Sequence, residues 1–304
     1  MKRLKVSFIT LTSIFISFPS NTVFAKSLLD KSTTDLLSSN NKDEAICYSP
    51  LYHNVSYPEV LELTPQPPEQ TFAYGPAPTQ FAELRVPKQP APPSGHPLVI
   101  FIHGGCWLNA YGVDHTSAFS SALASTGYAV VSLEYRRIDD EGGGWPGSYE
   151  DVLRGIKVAL ELKQAPYNNN NVAIVGHSAG GHLALLAGAA LKQNPSIKSV
   201  IGLAAITDLP TYAKGNNSCQ QATPKFIGGS PEDKPKAYSQ ANPAEADLHP
   251  RTRLIQGTAD TIVGLDQTLH QATVHRIEGG GHFDMIHPYT SSFQTLLKQL
   301  AADL

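Results

Sequence analysis

The feature that most constrains this chain lies near its middle. There the apolar run Val172-Ala173-Ile174-Val175 meets Gly176-His177-Ser178-Ala179-Gly180, and a stretch from His182 to Leu191 that reads as a helix follows. A strand that passes so abruptly into a helix leaves room only for a sharp turn with Ser178 at its apex. Such a turn needs glycine two residues to either side of the serine, because a side chain there would collide with the backbone of the adjoining strand or helix. The geometry lifts a serine hydroxyl clear of the sheet.

Strands and helices alternate around this turn. Phe81 to Val86 reads as a strand, a proline-rich connection runs from Pro87 to Pro97, and Leu98 to Ile102 is a continuous apolar run of the kind found in buried parallel strands. A helix around Thr116 to Ser125, a strand from Ala129 to Tyr135 and a helix from about Tyr149 to Lys163 lead to the strand before Ser178. Within the last of these helices Val152, Ile156, Ala159 and Leu160 recur at helical spacing, and Ser148-x-x-Asp151 predicts a capping box at its start. The helix after the turn is apolar nearly all round, which places it in the protein centre.

A strand from Val200 to Leu203 follows, then a Pro-, Gly-, Asn- and Lys-rich insertion from Asp208 to Pro250, read as a lid or pocket wall. Strands return at Arg253 to Gln256 and Thr273 to Glu278, and a last helix spans Tyr289 to Leu300. The fold class is α/β, a mostly parallel sheet with helices on both faces. Residues 71–304 form the domain, with 208–250 as the insertion. A polar leader and arm occupy 26–70.

The first 25 residues read as a secretory signal peptide. Lys2, Arg3 and Lys5 precede the apolar stretch Val6 to Phe18, and Val23-Phe24-Ala25 supplies a small-residue cleavage site. The apolar stretch is too short and too interrupted by hydroxyl residues to span a bilayer, so no stable membrane anchor is expected after cleavage. Losing those three of the 23 basic residues leaves 20 against 26 acidic ones, which argues against nucleic acid as a partner. Export implies an oxidising compartment in which Cys47, Cys106 and Cys219 permit one disulfide. Because Cys106 adjoins a loop with catalytic character, Cys47 with Cys219 is the expected pair, and no nucleophilic role is expected of Cys106. Nothing in the sequence selects an oligomeric state.

A serine hydroxyl is a weak nucleophile at neutral pH and needs a histidine held by a carboxylate to take its proton. Asp260 lies directly beyond the strand ending at Gln256, and His282 just past the next strand, after Gly279-Gly280-Gly281. Both therefore fall at the carboxyl edge of the sheet that also carries Ser178. Asp266 and Asp284 are rival acids; Asp266 opens a short helix and Asp284 follows the base too closely. His103-Gly104-Gly105-Cys106-Trp107 follows a buried strand, so the backbone N–H groups of Gly104 and Gly105, with that of Ala179, are candidates for an oxyanion hole. Trp107, Leu108, Trp145 and Tyr212 are candidate pocket residues. The spacing of His103, His177 and His182 does not suit a metal site, so none is expected.

These motifs together resemble the α/β-hydrolase superfamily, in the esterase/lipase branch that carries HGGxW. The resemblance rests on His103 to Trp107, Glu134-Tyr-Arg136, Trp145-Pro-Gly, Gly176 to Gly181, Gly257 to Asp260 and Gly281 to Asp284, and runs from Phe81 to the C-terminus. It is similar to the carboxylesterase-like and kynurenine formamidase-like members. What it implies is an eight-stranded sheet, a triad of Ser178, Asp260 and His282, and no cofactor. Export favours a small-molecule ester over formylkynurenine as substrate. An amide or peptide hydrolase on the same triad is the alternative, whereas a non-catalytic binding protein would need a broken trio.

Overall fold

A computed structural model describes residues 51–162 and 166–304. The expected signal peptide, the leader up to residue 50, and Cys47 lie outside the described residues. A short helix α1 (Tyr57–Leu61) precedes strands β1 (Gln70–Ala73), β2 (Phe81–Arg85) and β3 (His96–Ile102). Then come α2 (Ser117–Ser125), β4 (Ala129–Leu133), α3 (Gly147–Glu161), β5 (Tyr167–His177), α4 (Ala179–Ala190) and β6 (Ile197–Leu203). The insertion holds α5 (Leu209–Tyr212), α6 (Ser218–Ile227) and α7 (Pro235–Gln240). The chain closes with β7 (Thr252–Gly257), β8 (Thr273–Ile277) and α8 (Ser291–Asp303).

The eight strands form one sheet in the order β1-β2-β4-β3-β5-β6-β7-β8. The pairings β1–β2 and β2–β4 are antiparallel, and every pairing from β4 onward is parallel. This is the α/β-hydrolase fold expected from the motifs. Alternation along β3 divides the core: Leu98, Ile100 and Ile102 join α3 and α4 on one face, while Val99 and Phe101 meet α2 and α8 on the other. Each such fully buried aliphatic or aromatic side chain contributes about 1.5–3 kcal/mol. β1 was not expected, because its mostly exposed sequence carries no alternating apolar pattern to mark it.

Two local expectations need correction. Ser148 and Asp151 do not cap α3, which begins two residues earlier than expected, at Gly147, with Pro146 at its N-cap. Instead Ser148 Oγ donates to Arg136 O, and the buried Asp151 carboxylate accepts from Arg136 N, Nε and Nη2 and from Gln80 Nε2. The pair fastens α3 to the chain leaving β4, since a carboxylate that deep is stable only with charged or N–H partners.

The expected Cys47–Cys219 disulfide is replaced by Cys106–Cys219, whose Cα atoms lie 4.8 Å apart. The helix α6 folds back over the loop after β3 and brings Cys219 to it, a proximity set by the tertiary course of the insertion. The bond closes a 113-residue separation. Replacing both cysteines with alanine is expected to cost about 2–4 kcal/mol of stability, read as a lowered urea midpoint relative to the oxidised protein. An unchanged midpoint would mean that the bridge adds nothing to the fold.

Candidate active site

The turn after β5 holds Ser178 at φ 55° and ψ −121°, a backbone conformation that costs a non-glycine residue on the order of 1–3 kcal/mol and persists only where the surroundings impose it. Here they do. A side chain at Gly176 would run into the carbonyl of Gly180, and one at Gly180 into the carbonyls of Ile102 and His103. The serine is buried, and its Oγ has no hydrogen-bond partner among the described residues.

Asp260 and His282 come together at the ends of β7 and β8. His282 Nδ1 lies 2.8 Å from Asp260 Oδ2, so the ring proton sits on Nδ1 and Nε2 is left as the acceptor. The other oxygen, Oδ1, accepts from the N–H groups of Ile262 at 2.8 Å and Val263 at 2.9 Å. Gln256 Nε2, 3.3 Å from Oδ2, adds a further donor that the sequence reading missed. In place of a long helix the chain then makes only a 3-10 turn at Leu265–Gln267. Asp284 points elsewhere: its carboxylate accepts from Asn54 N and Val55 N.

His282 lies beside the residue that precedes the serine. His177, adjoining Ser178, donates from Nε2 to His282 O at 3.1 Å, and the two imidazoles lie 4.6 Å apart. Burial, reinforced by the nearby His282 and His115 rings, pushes the His177 pKa well below its ordinary value, so it stands neutral beside His282.

The loop after β3 runs against Ser178. A Cβ on Gly104 would lie 3.1 Å from Ser178 Cβ and 2.8 Å from His177 Nδ1, so glycine alone fits this approach. Gly105 (φ 110°), Cys106 (φ 55°) and Trp107 (φ 56°) all take left-handed backbone, which costs the last two about 1–2 kcal/mol each. The disulfide and the stacking of Trp107 on Phe226 at 4.6 Å hold them there. From beneath, His103 bridges Glu134 Oε1 at 2.9 Å and Gly104 O at 2.7 Å. Burial opposes ionisation of Glu134, yet His103 and Arg137 outweigh it and hold the carboxyl below its usual range.

The pocket candidates divide. Trp107 and Tyr212 are 0% and 1% exposed, Trp107 stacked on Phe226 and Tyr212 Oη donating to Ile262 O behind the Asp260 loop. Leu108 and Trp145 are half-buried, the latter stacked on Tyr149. Three residues that the sequence reading left out, Tyr57, His115 and Phe283, lie close to the site together with Tyr111. Among the described residues no group of three or more His, Cys, Asp or Glu is placed to hold a metal, and no helix is long and apolar enough to cross a membrane.

Burial also makes the fold acid-sensitive. It pushes His182 down to about 4, against a small opposing hydrogen bond to Ala241, and pushes His115 to about 4 with His103 adding to the effect. The unfolded chain, with histidines near 6.5, binds more protons than the folded one between these values. Stability from these groups is therefore complete above about pH 6.5 and is lost as pH falls towards 4. The expected result is a Tm that declines steadily from pH 7 to pH 5; a flat profile would contradict neutral burial of these rings.

A family model described as BD-FAE matches residues 83–273. Esterase LipC of Mycobacterium tuberculosis (strain ATCC 25618 / H37Rv) is 33% identical over 117 residues, covering 38% of this chain and 28% of that protein. Neutral cholesterol ester hydrolase 1 of Pongo abelii is 33% identical over 132 residues, 41% of this chain and 32% of that protein. The chain thus spans about a third of the length of these curated relatives. Among solved structures, esterase B from Lactobacillus rhamnosis (HN001) aligns with a TM-score of 0.65 at 22% identity, covering 79% of this chain and 87% of that one. A truncated carbohydrate esterase from gut microbiota gives a TM-score of 0.64 at 19% identity, covering 86% and 99%. At these identities the likeness to solved structures is one of fold.

Proposed function

This chain belongs to the BD-FAE family, an α/β-hydrolase family of the esterase/lipase kind, and from that premise we propose that it is a serine hydrolase of carboxylic esters with small to medium acyl chains. The observation that carries this reading is the Asp260–His282 hydrogen bond set beside the strained Ser178 turn. In the first step Ser178 Oγ attacks the ester carbonyl carbon while His282 Nε2 takes its proton and Asp260 steadies the imidazolium. Substrate binding brings the hydroxyl and Nε2 into register, as such contacts tighten in the reactive complex.

The charge that forms on the carbonyl oxygen is met by the N–H groups of Gly104, Gly105 and Ala179. As the C–O bond to the alcohol breaks, His282 returns the proton to the leaving oxygen. Water, deprotonated by the same nitrogen, then attacks the acyl-enzyme and releases the acid with Ser178 restored. No cofactor enters this sequence of steps.

A fluorophosphonate probe tests the reading. A single adduct on the peptide bearing Ser178 is expected, and absence of labelling would overturn it. With matched ester and amide substrates the ester is expected to turn over faster; the reverse order would favour the amidase alternative.

The chain is proposed to act outside the cytoplasm. The basic and apolar N-terminal pattern supports export, and so does a cystine, since such bonds persist mainly in oxidising compartments. The mature exported protein is expected to begin at Lys26. Recovery of the full-length chain in the cytoplasmic fraction would sink this.

A further inference from the structure

The segment before β1 is fastened to the loop that carries the base. Tyr52 N donates to Tyr289 O at 2.9 Å, and the fully buried Asp284 accepts from Val55 N at 2.6 Å and Asn54 N at 3.0 Å. A Cβ on Gly281, the residue before His282, would meet Asn54 Oδ1 at 2.5 Å, so the arm lies against that loop. The arm precedes the residues matched by the family model.

Its position sets Tyr57 where two groups of rings meet. Phe283 follows the base, with its ring 5.2 Å from that of His282, and Tyr57 lies 5.3 Å from Phe283. On the other side Tyr57 meets Tyr111 edge-on at 5.8 Å, and Tyr111 in turn packs on Gly105 of the oxyanion loop. Tyr57, Tyr111 and Phe283 are each half-buried, so the rings are not consumed by the core. Burial, with the Asp114 carboxylate adding to it, raises the Tyr57 pKa and keeps the phenol neutral.

The base hands its proton to the departing oxygen, so the alcohol portion of the substrate must lie beside His282. The rings next to His282 are then the surface that portion meets. Aromatic faces and edges receive a flat ring in offset or edge-on contact, which a small saturated alcohol cannot reproduce.

We propose that Tyr57, presented by the N-terminal arm, is a specificity-determining residue that favours esters of flat aromatic alcohols; this rests on the serine-hydrolase reading above. The test is kcat/KM for benzyl acetate relative to ethyl acetate, two esters that form the same acetyl-enzyme and so differ only in the acylation step. Tyr57→Ala is expected to lower the benzyl-to-ethyl ratio about tenfold, or about 1.4 kcal/mol. Tyr57→Phe, which keeps the ring, is expected to hold the ratio within about twofold of wild type, since the conserved ring contact carries the discrimination. Tyr57→Leu, which keeps bulk without a ring, serves if the alanine variant fails to fold and should also lower it. An unchanged ratio in the Ala or Leu variant overturns the inference alone. Failure of the wild-type protein to cleave either ester overturns the hydrolase reading and the inference with it.

Discussion

Replacing Ser178 with alanine is expected to lower kcat for p-nitrophenyl butyrate by about a million-fold, the scale of loss seen when a serine nucleophile is removed. The fold should survive, because the substitution takes away one hydroxyl that has no hydrogen-bond partner among the described residues. The positive φ at this position is borne by alanine with the same strain as by serine, so the turn need not change. Burst kinetics and probe labelling should vanish together. A variant that keeps turnover within tenfold of wild type would mean that the chemistry runs elsewhere.

Asp260→Asn is expected to lower kcat by about 10,000-fold with little change in Tm. The asparagine oxygen can keep the bonds that Asp260 Oδ1 accepts from Ile262 and Val263, so the loop stays in place. Its amide would then face His282 Nδ1 as a donor where a carboxylate oxygen accepts at 2.8 Å. The ring can meet a donor only with its proton moved to Nε2, and that nitrogen then cannot take the proton of Ser178. Partial recovery at high pH, where serine ionises more readily without a general base, would fit this account. A fall in kcat accompanied by a large drop in Tm would instead make Asp260 a structural residue.

Much of this arrangement was legible in the chain because it is local. The run from Val172 to Gly180 encodes a strand, a turn and a helix in contiguous residues, and the steric need for Gly176 and Gly180 follows from backbone geometry alone. Asp260 stands shortly after the apolar strand β7 and His282 a few residues past β8, so parallel strand direction places them at the same sheet edge as Ser178 before any contact is known. The choice of Asp260 over Asp284 was also readable, since a residue two positions from the base is poorly placed to face it.

Other features escaped because no local sequence pattern marks them. Gln256 points a side chain along its own strand towards Asp260, and glutamine at a strand end carries no mark of that role. Ser148 and Asp151 match a capping box in spacing, yet Arg136 competes for both and wins, because a buried carboxylate gains more from a guanidinium than from its own helix terminus. Trp107 stacks on Phe226 of the insertion, whose path no local pattern reveals.

By itself the sequence determined the parallel α/β framework, the serine on its strained turn, and the positions of Asp260 and His282 beyond strand ends. Those follow from periodicity and from the short range of backbone sterics. The tertiary structure alone decided that Cys106 pairs with Cys219, that Asp284 holds the N-terminal arm, and that Tyr57 comes to lie between Tyr111 and Phe283, beside the Gly105 loop and His282. The reason is physical: these contacts join residues tens to hundreds of positions apart, and their geometry exists only after the sheet has set the directions of the loops that leave it.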